Sequence, residues 1–239
     1  MTGQPIKAVF FDWDGTLAYV ETSPNGVSGR LATMFQSVGL PYTQEEMEAA
    51  LQQYAIDAGP ETIERFGKAQ TRREITGHYA QLLDRLGHQD TSWDLTLEIY
   101  RAYAKSQWHL FADSRATLQA VCEKGYIVGI LSNHSCSARP IMTQMVGDLV
   151  PAQNIIISEE IGVHKPAKTI FLRAAARVRM PPASCMLVGD NLEVDAFGAL
   201  QRGGFGHSVW LDRNHKSSDR PLPPNITTIT SLTQLIDLL

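Results

Sequence analysis

The 239-residue sequence predicts an α/β fold: a doubly wound, Rossmann-like parallel sheet carrying an inserted all-helical cap domain. Three observations make that prediction. Short runs rich in apolar and β-branched residues recur at 8–11, 126–131, 154–157, 185–188 and 208–211, as expected of strands buried on both faces. Helical patterns separate the later runs, and alternating strand and helix is what parallel pairing through crossovers requires. From Tyr19 to Trp108 the alternation stops, and only helical patterns fill the interval.

Taken in order, Ala8-Val9-Phe10-Phe11 forms the first strand. The insert holds helices near 26–38, 44–58, 71–86 and 93–108, with stops at Gly39-Leu40-Pro41 and Gly59-Pro60. In the third of these Ile75, Tyr79, Leu82, Leu83 and Leu86 recur at helical spacing, so one apolar stripe faces a partner helix. Trp93, Tyr103 and Trp108 are expected in the core of this insert. The later helices fall at 115–124, 141–146, 168–178 and 192–201, and Pro166 suits the first turn of the third. After the run at 208–211, residues 212–225 are rich in Asp, Asn, Ser and Pro and predict an exposed excursion. A last helix over 231–238 takes Ser231 as its cap. The expected division is a core of 1–18 and 109–239 with a cap of 19–108.

Composition is that of a globular protein, 44% hydrophobic and 19% charged. A net charge of −4 gives no footprint for nucleic acid, and Arg72-Arg73, followed by Glu74, reads as a solvated face. Cys122, Cys136 and Cys185 are odd in number and widely spaced, which disfavours a disulfide framework or a zinc site and fits a reducing, cytoplasmic location. No apolar stretch has the length of a signal peptide or a bilayer span, so no membrane partner is expected.

The chemistry gathers at strand ends. The first strand runs into Asp12-Trp13-Asp14-Gly15-Thr16, and ligands of open parallel sheets collect at the carboxyl ends of strands. On an extended backbone Asp12 and Asp14 share a face, so their carboxylates crowd unless a cation lies between them. Gly15 allows a sharp turn, and Thr16 offers a hydroxyl to a phosphate oxygen. The second run ends in Ser132-Asn133, a hydroxyl and an amide for an anion. Lys165, placed before a helix N-terminus, adds a point charge to the helix dipole. The fourth run ends in Gly189-Asp190-Asn191, with Asp195 five residues after Asp190, and hard oxygen ligands of this kind suit Mg²⁺. Alone, each motif has a competing explanation: turn formation for Asp14-Gly15 and Ser132-Asn133, a solvated surface lysine for Lys165, and helix capping by Asp190 or Asn191 for the last. His134 and His164 neighbour the motifs but are expected to be loop residues, and Trp13 is expected to pack.

Together, Asp12-x-Asp14-Gly15-Thr16, Ser132-Asn133, Lys165-Pro166 and Gly189-Asp190 with Asp195 resemble the four motifs of the haloacid dehalogenase-like hydrolase superfamily. The resemblance implies a Mg²⁺-dependent phosphatase acting on a small phosphorylated metabolite. It makes Asp12 the nucleophile, phosphorylated in passing, and Asp14 the acid that protonates the leaving oxygen and then activates water. Metal ligands would be Asp12, the Asp14 carbonyl, Asp190 and Asp195, the last directly or through the outer shell; Thr16, Ser132, Asn133 and Lys165 would hold phosphate. Members that cleave carbon–halogen or phosphonate bonds lack an acid at the position of Asp14, so Asp14 implies a phosphate ester. The helical insert resembles the family's cap, which closes over the site and selects substrate. A sugar phosphomutase of the same superfamily shares both acids. From a different class, a phospho-accepting or binding module remains a second alternative, although receiver domains place their acid on the third strand, where 154–158 offers none.

Overall fold

The structure is a computed structural model that describes residues 4–20, 26–59, 71–215 and 221–239. Pro60 and part of the 212–225 excursion lie outside the described residues. The chain divides into two compact units, Met1–Tyr19 with Trp108–Leu239, and Val20–Gln107.

The first unit is built on a six-stranded parallel sheet in the order β5-β4-β1-β6-β7-β8. Its strands are β1 (Ala8–Phe11), β4 (Ile127–Ser132), β5 (Ile155–Ile157), β6 (Cys185–Gly189), β7 (His207–Leu211) and β8 (Ile226–Ile229). All four residues of β1 have no exposed surface, because β1 lies mid-sheet with helices on both faces. Order reverses at β1, which pairs with β4 on one side and β6 on the other, so the crevice outside their carboxyl ends is the natural place for a ligand. Phe10 packs near Phe205, itself edge-on to Phe171, and Gly129 leaves the space into which the Phe10 ring fits.

Four helices make up the second unit: Gly26–Ser37, Gln44–Ala58, Arg72–Arg85 and Trp93–Ala104. Two begin with reciprocal capping boxes, Thr43 with Glu46 and Thr71 with Glu74, which satisfy otherwise orphaned N–H groups. The expected stripe is present: Tyr79, Leu82 and Leu83 are buried, with Ile75 and Leu86 packed at the margin of the same cluster as Leu31, Phe35, Met47 and Ile99. Among the described residues no helix is long and apolar enough to cross a membrane.

Several expectations need correction. The helix expected over 93–108 ends at Ala104, because Lys105-Ser106-Gln107 breaks its apolar period, and Trp108 opens a short strand, β3 (Trp108–Leu110), paired with β2 (Ala18–Val20). Trp108 packs its ring on Trp13, at 6.0 Å between centroids, while Trp93 is 45% exposed; neither is core of the helical unit. The sheet does not end at Leu211: Ile226-Thr227-Thr228-Ile229 adds an edge strand with both isoleucines buried, a run whose two central threonines hid it. The last helix is a 3₁₀ turn, Leu232–Leu238, though Ser231 does cap it. Leu192–Arg202 is wound wider than an α-helix, with bonds such as Ala196 N–H to Asn191 O and Gly203 N–H to Gly198 O.

Candidate active site

Beyond β1 the chain keeps its pairing for one residue more: the Asp12 N–H donates to Val188 O at 2.9 Å. Alternation then turns Trp13 into the core, where it is fully buried, and leaves Asp12 and Asp14 partly exposed on the other face. The strand stops at a tight turn in which the N–H groups of Thr16, Leu17 and Ala18 all point at Trp13 O. Gly15 has φ +78°, and a Cβ there would lie 2.7 Å from Asp190 Oδ2, so position 15 must be glycine for Asp190 to reach the turn.

Lys165 is 1% exposed, and its ammonium lies 2.9 Å from Asp12 Oδ1 and 2.7 Å from Asp195 Oδ1. Asn133 fixes it there. The Asn133 amide donates to Lys165 O at 2.9 Å and its oxygen accepts the Lys165 N–H at 2.7 Å, so this side chain holds the lysine backbone. Ser132 is buried at the end of β4, the strand beside β1.

At the end of β6, Asn191 rather than Asp190 caps the next helix, accepting the N–H groups of Glu193 and Val194. Asp190 is thereby left for the site. Asp195 is 1% exposed one turn later; its Oδ2 accepts the Asn191 N–H at 3.1 Å, and a Cβ on Gly189 would collide with its carboxylate.

Oxygens of Asp12, Asp190 and Asp195 lie within 4.8 Å of one another. Burial, then the charges of Asp12, Asp195 and Asp14, push the Asp190 carboxyl up to about 8. Asp195 is also raised, by its burial, against the pull of Lys165. Burial opposes charge on Lys165 too, but Asp12 and Asp195 outweigh it and its pKa is raised. Three acids therefore share one fixed cation. Asp12 Oδ1, although ion-paired, has no aligned hydrogen-bond donor, and the buried Thr16 hydroxyl has no partner among the described residues. An all-oxygen donor set with a deficit of positive charge fits Mg²⁺.

The structure thus brings Asp12, Lys165, Asp190 and Asp195 into one cluster, with Asp14 near enough to act on Asp190. Two residues outside the sequence motifs belong to its surroundings. His134 is buried, its Nδ1 accepts the Ser135 N–H, and burial pulls its pKa down to about 4 against Asp12 and Glu159, so it is neutral at pH 7. Arg213, just past β7, donates to Thr16 O at 2.9 Å. Its place at a strand's carboxyl end was the available signal, but it belongs to no motif.

The family model for haloacid dehalogenase-like hydrolases matches residues 6–203. The chain is 28% identical over 238 residues to the glyceraldehyde 3-phosphate phosphatase of Methanothermobacter thermautotrophicus, covering 98% of this chain and 100% of that one. It is 25% identical over 245 residues to the ribulose-1,5-bisphosphate 5-phosphatase of Halopiger xanaduensis, covering 96% and 98%. In fold it resembles the crystal structure of a HAD phosphatase from Thermococcus onnurineus, with a TM-score of 0.65, 22% identity and coverage of 98% and 97%. With a match that spans the strand ends where the acids and Lys165 converge, the chain belongs to the haloacid dehalogenase-like hydrolases.

Proposed function

We propose that the protein is a Mg²⁺-dependent phosphatase that hydrolyses a small phosphomonoester through a phosphorylated Asp12. The observation that carries this reading is the cluster of Asp12, Asp190 and Asp195 around the buried ammonium of Lys165. Residues Asp12, Asp190 and Asp195, with the Asp14 carbonyl, would hold the ion. When bound, Mg²⁺ supplies charge that lets an anionic carboxylate approach an anionic phosphate. Lys165 adds the second, fixed countercharge, and the hydroxyls of Thr16 and Ser132 orient phosphate oxygens.

An Asp12 carboxylate oxygen forms a bond to phosphorus as the ester oxygen leaves, and Asp14 gives that oxygen its proton. Water then attacks phosphorus, gives its proton to Asp14, and releases phosphate and the Asp12 carboxylate. Two moderate barriers replace one high one. A dehalogenase would need no acid at position 14, so Asp14 supports an ester substrate. Because the two relatives are named for phosphorylated sugars, the substrate class is a small phosphorylated metabolite of that kind.

Hydrolysis of p-nitrophenyl phosphate in Mg²⁺, abolished by EDTA and by Asp12→Asn, is the test. Turnover that survives Asp12→Asn would falsify the assignment. A panel of sugar phosphates, nucleoside monophosphates and phosphoglycolate then identifies the substrate.

A further inference from the structure

The turn that carries Asp14 and Thr16 is closed by its own bonds on one side only. Its N–H groups are used internally, by Trp13 O and Ala18 O. The carbonyls of Thr16 and Leu17 point the other way, and both are held from outside. Leu17 O accepts from Ser114 Oγ at 2.7 Å and from the Phe111 N–H at 3.1 Å. Thr16 O accepts from Arg213 Nη2 at 2.9 Å, across 197 residues of sequence.

Arg213 is itself fixed through both terminal nitrogens and the face of its guanidinium, while its Nε has no hydrogen-bond partner among the described residues. Nη1 and Nη2 pair with Asp113 Oδ2 and Oδ1 at 3.0 and 2.8 Å, and the guanidinium carbon lies 3.9 Å from the centre of the Phe111 ring. The pair is mostly buried, at 18% and 13% side-chain exposure. Asp113 also accepts the Ser231 hydroxyl at 2.8 Å and the Leu232 N–H at 2.9 Å. A planar, bidentate, stacked arginine of this kind has one orientation, which lysine cannot reproduce. No atom of this network belongs to the cluster of Asp12, Lys165, Asp190 and Asp195.

We propose that Arg213, oriented by Asp113 and Phe111, is a positioning residue for the general acid: it holds the Thr16 carbonyl so that the turn presents Asp14 to the leaving oxygen. The inference rests on the phosphatase reading above. Asp14 itself anchors on the turn through its bridge to Ala18, two residues past the carbonyl that Arg213 grips. Release of that carbonyl frees the turn to shift, and a shift on the order of 1 Å in a reacting group costs about 100-fold.

A loss of this kind depends on the leaving group. p-Nitrophenol departs as a stable anion and needs little help from an acid, whereas an alkyl alcohol has to be protonated as it leaves. The test compares kcat/KM, which reports phosphoryl transfer to Asp12, for p-nitrophenyl phosphate and β-glycerophosphate in wild type, Arg213→Gln, Arg213→Lys and Asp113→Asn, with the melting temperature of each. Arg213→Gln is expected to lose about 30–100-fold on the alkyl ester and about tenfold less on the aryl ester, whose smaller loss reports the Thr16 hydroxyl and Asp14 carbonyl on the same turn. Arg213→Lys, which keeps a donor but not the fork, falls between it and wild type, as does Asp113→Asn. Asp14→Asn sets the scale, with the same bias and a larger loss. Equal losses on both esters, or none, in variants that remain folded would overturn the proposal. Asp12→Asn separates the two readings: if it retains activity the phosphatase assignment fails, and if it is dead while Arg213→Gln shows no bias only the positioning role fails.

Discussion

Replacing Lys165 by Met removes the buried cation from the cluster of Asp12, Asp190 and Asp195 while nearly keeping the side chain's length. The ammonium, 1% exposed, lies 2.9 Å from Asp12 and 2.7 Å from Asp195, itself 1% exposed. Deleting one partner of a buried pair leaves the other charge uncompensated and costs roughly 3–5 kcal/mol, and here two carboxylates lose the same partner. At about 2–4 °C per kcal/mol for a chain of this size, the melting temperature in EDTA at pH 7.5 drops by roughly 6–20 °C. The loss also has a pH signature. The Lys165 pKa is raised in the fold, so titration of the lysine itself adds no pH dependence below its ordinary value of 10.5, and any slope comes from the acids around it. In the variant, Asp195 and Asp190 take up protons as pH falls, and the penalty shrinks toward pH 5. Excess Mg²⁺ restores part of the difference by supplying charge at the same place. Calorimetric scans of wild type and Lys165→Met at pH 5 and 7.5, each in EDTA and in Mg²⁺, provide the measurement. A variant that melts within about 2 °C of wild type at pH 7.5 in EDTA would refute the argument that Lys165 balances these acids.

Other outcomes follow from the same geometry. Because the Asp190 carboxyl is raised from 3.8 to about 8, the metal-free fold is destabilised as pH climbs from about 4 to 8; Mg²⁺ abolishes that slope, and its apparent affinity rises with pH over the same window, measurable by calorimetric titration. Gly189→Ala drives a methyl group into the Asp195 carboxylate and is expected to eliminate the rise in melting temperature on adding Mg²⁺, whereas Gly125→Ala, at φ +85° and facing open space, leaves the Mg²⁺ response intact. Asn133→Ala frees the Lys165 backbone from both of its side-chain bonds, and kcat is expected to fall about 10–100-fold with folding retained, read by steady-state kinetics beside a melting curve.

What the sequence made legible was each group's type and its strand end. Period and composition were enough for the sheet, since residues such as Phe10, Leu131 and Leu187 sit in uninterrupted apolar runs. Asp12, Asp190 and Asp195 stood out because each closes such a run or follows it closely, and Lys165 because it precedes a helix N-terminus. Partnerships were not legible. Asn133 offered an amide equally suited to phosphate or to backbone, and only the fold shows it holding Lys165 across 32 residues. Asp190 and Asn191 were equal candidates for the helix cap until Asn191 took the role. Trp108 read as the end of a helix because three strand residues are too few to set a period, and β8 was hidden behind Pro223-Pro224 and its central threonines.

The same distinction explains why the reaction class is written in the motifs and the substrate is not. A phosphoryl group asks the same of any enzyme that handles it: hard ligands, a cation and a proton donor. These come from the carboxyl ends of neighbouring strands, whose spacing the sheet order fixes. The rest of a substrate makes no such uniform demand, so the residues that meet it are free to vary without disturbing Asp12 or Lys165. Arg213 lies between these cases. It touches none of Asp12, Lys165, Asp190 and Asp195, yet through the Thr16 carbonyl it grips the turn that bears Asp14, and its contacts with Asp113 and Phe111 join the end of β7 to the segment after β3. A group of that kind is invisible to motif reading because its task is geometric. Its signature is therefore a change in which leaving groups the enzyme tolerates rather than whether it works at all.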